Sequence, residues 1–215
     1  MIMKKTHLTI LAAISLLLSS CFGAGGYGNG GYGTANTAST GNVWGSVLGS
    51  VLSSVLLGGG YGYDQSGILG SWNYNAPSAA FTTEKALTNA GGTAAVSNIK
   101  SSLASNYSSI GINRANTSFS FQEGNKFTAK VNGIPFSGTY AFNAQNGEIS
   151  LQTASETLKG NVTKTEKGMG LMFDSAQMVN LLKKECKVSN TAAIQAVSKL
   201  AKSANGARVG FELTK

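Results

Sequence analysis

The stretch that decides the fold is Ser118-Phe119-Ser120-Phe121-Gln122-Glu123-Gly124-Asn125-Lys126-Phe127-Thr128-Ala129-Lys130-Val131-Asn132-Gly133-Ile134-Pro135-Phe136-Ser137-Gly138-Thr139-Tyr140-Ala141-Phe142. Phe119 and Phe121 alternate with Ser118, Ser120 and Gln122. Phe127, Ala129 and Val131 alternate with Lys126, Thr128 and Lys130. Period-two alternation puts one set of side chains on each face of a strand. Glu123-Gly124-Asn125 has turn chemistry, and Asn132-Gly133 is a strong two-residue hairpin signal, because both residues tolerate positive φ. Ile134, Phe136, Gly138, Tyr140 and Phe142 then follow on one face.

The same grammar continues downstream. Asn146-Gly147 turns the chain into Glu148-Ile149-Ser150-Leu151, and Leu158–Thr163 and Met169–Phe173 form a further pair joined by Glu166-Lys167-Gly168. Ile68–Tyr74 reads as a first strand and Ala207–Leu213 as a last one. Between the first strand and Ser118, a helical stretch follows Thr82 as its N-cap, Gly91-Gly92 interrupts it, and a longer helix carries Val96, Ile99, Leu103, Tyr107 and Ile110 up to Gly111. Asp174 with Gln177 has the capping-box pattern for a helix lined by Met178, Val179, Leu182 and Cys186, and a second helix spans Ser189 to Ser203. About eight antiparallel strands with tight hairpins can close into a barrel filled by side chains or holding one small ligand. The fold expected is therefore mainly β with helical inserts. An open antiparallel sheet covered by the helices is the alternative. Apolar-in, polar-out alternation predicts one buried and one wet face.

Composition bounds the chemistry. The chain of 215 residues has 17 Lys+Arg against 9 Asp+Glu, 2 Cys and 1 His. Two cysteines exclude a disulfide scaffold, and one histidine excludes a multi-histidine metal site. No cofactor is called for. The acidic residues sit mostly at predicted turns and helix ends, with no spacing that singles out a catalytic carboxylate pair. The basic residues are scattered, with Lys183-Lys184 read as a solvated helix face, and nucleic acid is not an expected partner outside the cytoplasm. The positive excess suits anionic lipid headgroups or polysaccharide.

The N-terminus is an address. Lys4 and Lys5 precede an apolar run from Leu8 to Leu18, too short to span a bilayer and of the secretory signal type. Leu18-Ser19-Ser20-Cys21 resembles the lipobox of bacterial lipoproteins. That resemblance implies diacylglycerol on Cys21, cleavage after Ser20 and acylation of the new amino terminus. The membrane is then a partner through N-terminal acyl chains. No aspartate follows Cys21, which by the lipoprotein analogy implies the outer membrane, with the periplasmic leaflet favoured over the surface. Removing residues 1–20 also removes Lys4, Lys5 and the single histidine, His7. Cys186 is left without a thiol partner and is expected to be a buried small hydrophobe.

Residues 21–42 form a Gly/Tyr/Ser-rich tether, with Gly25-Gly26-Tyr27-Gly28 nearly repeated as Gly30-Gly31-Tyr32-Gly33. Its mean reach as a flexible coil is roughly 25 Å. Residues 43–66 hold an apolar helical segment and a Gly-rich linker. In that segment Trp44, Val47, Leu48, Val51, Leu52, Val55 and Leu56 share one helical face. It suits packing on the following domain or on a copy of itself.

Residues 67–215 carry the second resemblance. Gly70-Ser71-Trp72 is similar to the Gly-x-Trp signature of lipocalins. Leu69–Trp72, Ala90-Gly91-Gly92, Asn116–Phe119, Phe136–Tyr140, Met172-Phe173-Asp174 and Val209-Gly210-Phe211 together resemble a lipocalin-like domain of unknown function from bacterial envelope lipoproteins. The resemblance implies a barrel and assigns no activity. The internal helices depart from true lipocalins and put an open ligand cup in question.

The inward positions hold Trp72, Phe119, Phe121, Phe127, Phe136, Tyr140, Phe142, Phe173 and Phe211. They are either plain core or the lining of a ligand cavity. Three functions follow: a lipid-anchored module binding a small apolar or amphipathic molecule, a structural or accessory lipoprotein contacting an envelope protein partner, and, weakest, an enzyme.

Overall fold

Residues 62–203 and 206–215 are described by the computed structural model. The signal segment, Cys21, the tether and the apolar segment up to residue 61 lie outside the described residues. Eight strands form one closed antiparallel barrel: β1 Gly70–Phe81, β2 Ser118–Gln122, β3 Lys126–Val131, β4 Ile134–Asn143, β5 Glu148–Gln152, β6 Thr157–Lys164, β7 Met169–Phe173 and β8 Ala207–Thr214. Each pairs with its sequence neighbour, and β8 returns to β1. The barrel is the architecture expected, and the open-sheet alternative is overturned by the β1–β8 ladder. Closure gives every strand two strand neighbours, although β1 beyond Asn73 keeps only β8.

The hairpins follow their turn residues. Asn132 and Gly133 have φ of 53° and 78°, the two positive values a type I′ turn needs. Glu123–Asn125 makes one 3₁₀ turn.

The first strand differs from its expectation. It starts at Gly70 and runs through Pro77 to Phe81. Gly70–Asn73 pair with β2, and Asn73–Phe81 pair with β8, with a bulge between Tyr74 and Ala76. Proline lacks the ladder donor and is found in sheets at edges and bulges. Pro77 pairs with Phe211 of β8 and lies beyond the last β2 pair, on the part of β1 that is a one-sided edge.

Four α-helices fill the two long connections. Helices α1 (Glu84–Asn89) and α2 (Thr93–Ser109) lie between β1 and β2. Helices α3 (Ser175–Asn180) and α4 (Thr191–Ser203) lie between β7 and β8, separated by a π-helical turn at Leu181–Glu185. The cap of α1 is Thr83 rather than Thr82; its hydroxyl accepts the Ala86 N–H at 3.1 Å. Asp174 caps α3 as expected, accepting the N–H groups of Ala176 and Gln177 at 2.9 Å each. Gln177 does not complete the capping box. Its carbonyl instead accepts the Lys159 N–H of β6 at 3.1 Å, tying helix to barrel.

The helices pack on β1 and on β6 to β8. There the expectation of one wet face fails. All five residues of β7 are buried, and Ser78, Ala80 and Gly210 are buried between inward-facing neighbours. Strands β2, β3 and β5 keep the alternation.

Candidate functional site

The register assembles the inward aromatics. Trp72, Phe119, Ala129 and Phe136 form one row across β1 to β4. Phe121, Phe127 and Gly138 form the next row. Tyr140 pairs with Leu151, and Phe211 with Leu171. Rings then touch in a continuous path. Phe211 meets Phe119 at 5.6 Å between centroids, Phe119 meets Phe136 at 6.3 Å, and Phe136 meets Phe127 at 6.1 Å. Phe127 meets Phe121 at 6.5 Å, and Phe121 meets Tyr140 at 5.2 Å. Most are edge-on or tilted, the arrangements ring quadrupoles favour. Phe119, Phe121, Phe127, Phe173 and Phe211 are at most 1% exposed.

Two of the expected residues sit apart from this path. Trp72 lies toward the end of the barrel where β1 starts. Its indole N–H donates to the Ile68 carbonyl at 2.8 Å, Tyr63 packs edge-on at 5.6 Å, and the Lys215 ammonium lies 4.8 Å from its ring centre. The chain entering β1 and the chain leaving β8 thus meet over this end. Phe173 ends β7, just before the Asp174 cap, against Gly160.

Phe136 and Phe142 are on the predicted inward face but only partly buried. The inward row of β4 is the least covered part of the core, since Ile134 and Gly138 are also partly exposed.

Tyr107 of α2 joins the path. It is fully buried, 5.6 Å from the Phe211 ring and 6.4 Å from Tyr74. Its hydroxyl donates to the Gly210 carbonyl at 3.2 Å. Burial, then the neighbouring Tyr74 and Cys186, push its phenol well above the ordinary value. Its place in the Val96, Ile99, Leu103, Tyr107 helical spacing marked it as apolar-facing, but spacing within a helix does not say which strand it meets.

Cys186 ends the π-helical turn and is 1% exposed. Burial foremost, then the adjacent Glu185 carboxylate, hold its thiol far above the usual range. A thiol kept protonated and out of water is not a nucleophile. Glu185 itself is buried and accepts from Thr153 at 2.8 Å and from Ser155, pinning the β5–β6 loop to the turn. No three metal-ligating side chains come together among the described residues.

The arrangement is thus a closed aromatic core with helices packed on β1 and on β6 to β8 and a tryptophan-centred cover where β1 starts. Comparison with known proteins agrees with that architecture. No curated protein and no solved structure matches the chain. The family described as Lipocalin-like domain (DUF4923) matches residues 49–215, which is most of the chain. On that match and on its eight-stranded barrel, the chain belongs to the lipocalin-like DUF4923 family.

Proposed function

We propose that this chain is a lipid-anchored cell-envelope lipoprotein that works from the outer surface of a filled barrel, by contact with an envelope partner. The observation that carries the reading is the continuous ring path from Phe211 to Tyr140. Rings in mutual contact leave their faces to one another rather than to a guest. In this role Cys21 holds two or three acyl chains, enough for stable anchoring where one is marginal, and residues 21–42 give the barrel its reach. The outer membrane, periplasmic side, is the proposed place. The role is one of binding rather than catalysis, in keeping with the buried, protonated Cys186.

Labelled palmitate supplied to a bacterial host expressing the full chain is expected to enter the protein, and Cys21→Ser to lose the label. Label retained in Cys21→Ser removes the anchor from this reading. Crosslinking in intact cells is expected to trap a specific envelope protein.

A second reading is favoured by one observation, the partial exposure of Phe136 and Phe142 along β4. A small apolar or amphipathic ligand seated there would extend the aromatic core. Native mass spectrometry of the full chain decides between the two. A co-purified lipid mass that disappears in Phe136→Ser supports the ligand; a ligand-free mass in both proteins supports the surface role.

A further inference from the structure

On the wet side of β5 and β6, a mostly polar cleft of about 350 Å³ is bounded by Glu148, Ser150, Lys159 and Asn161 from the sheet and by Asp174 and Arg208, with Ile149 and Gly160 also in its lining. Its size is at the small end for a ligand site, and it lacks the apolar walls that a hydrophobic guest needs.

The barrel register builds it. Glu148 pairs with Asn161 and Ser150 with Lys159, so these four side chains stand as two adjacent cross-strand pairs on one face. Arg208 comes from β8, and Asp174 follows β7 directly. Arg208 Nη1 lies 3.0 Å from Asp174 Oδ2, while Oδ1 of the same carboxylate is occupied by two helix N–H groups. Asp174 thus divides its carboxylate, one oxygen capping α3 and the other holding Arg208. The Arg208 Nε–H is buried with no acceptor. The two ion pairs formed among the described residues engage neither Lys159 nor Glu148. The cleft thus offers one ammonium, one positioned guanidinium and one carboxylate without an ion-pair partner, beside an amide and a hydroxyl.

Counting Asp174, positive and negative charges balance. A multiply charged anion would meet Glu148 unfavourably, and a simple cation would meet Lys159 and Arg208. A molecule with both charges satisfies all three. We propose that this cleft binds a small zwitterion, an amino acid or short peptide with free ends, its carboxylate met by Lys159 and Arg208 and its ammonium by Glu148. The inference goes beyond the surface role above and does not depend on the lipid anchor.

Amide chemical shifts of the full chain, titrated with glycylglycine, test it. The expected result is saturable shifts at Ser150, Lys159 and Asn161. N-acetylglycylglycine and glycylglycinamide should each bind roughly tenfold more weakly or worse. Glu148→Gln should weaken glycylglycine without changing the response to the N-acetylated form, and Lys159→Met should weaken both. Glu148 and Lys159 are exposed, so unchanged shifts elsewhere will report an intact fold in each variant. Absence of saturation, or equal binding of the N-acetylated peptide, overturns the proposal.

Discussion

Gly210 shows how much one missing side chain matters. A Cβ there would strike the Leu171 carbonyl of the neighbouring strand, and the Gly210 carbonyl receives the Tyr107 hydroxyl. The glycine lets β7 and β8 draw together and lets a helix tyrosine reach the sheet. Gly210→Ala is expected to lower stability by about 1–3 kcal/mol, the usual scale for overpacking, read as a lower urea midpoint with unchanged slope. Tyr107→Phe keeps the ring and removes the hydroxyl, so its expected cost is smaller, about 1 kcal/mol. Burial raises the thiol of Cys186 and the phenol of Tyr107 well above their ordinary values, and burial with Glu212 raises the phenol of Tyr74 to about 12. Each group keeps its proton in the folded state at a pH where the unfolded chain loses it. The linked stability is therefore whole below the unfolded values and is lost above them, from about pH 8.5 for the thiol and about pH 10 for the phenols. Thermal midpoints should fall as pH rises through that window. Iodoacetamide at pH 8 should spare Cys186 until denaturant is added.

At the scale of elements, the reading from sequence succeeded where local signals were sufficient. The Asn-Gly turn at 132–133 and the strict alternation of 119–131 fix the β2–β3–β4 meander, because turn chemistry and period two depend only on near neighbours. It stopped short at β1, where Ala76-Pro77 looks like an ending and only the β8 ladder shows otherwise. Gln177 has the right spacing for a capping box, yet a competing donor, the Lys159 N–H, takes its carbonyl. Asp174 did keep its cap and gained Arg208. Asp174→Ala is expected to cost about 1–2 kcal/mol, as for loss of a helix cap, with a loss of far-UV helical signal. The aromatic core was legible for the same reason as the strands. The polar cleft was not: its residues come from positions 148 to 208 and meet only once β5 pairs with β6 and β7 joins β6 to β8.

For the whole molecule, closure is the property from which the rest follows. The β1–β8 pair is the longest ladder in the barrel, from Asn73↔Thr214 to Phe81↔Ala207. Removing residues 207–215 would free the edges of β1 and β7 together, and the expected outcome is aggregation rather than a smaller folded domain, measurable by light scattering. The same ladder also sets an order of events. A chain made or threaded from its N-terminus presents β1 first and β8 last, and loop-closure entropy makes such distant partners slow to join. Until β8 arrives, the nascent protein can hold hairpins but no closed barrel, so the core stays open to water for as long as its last wall is missing.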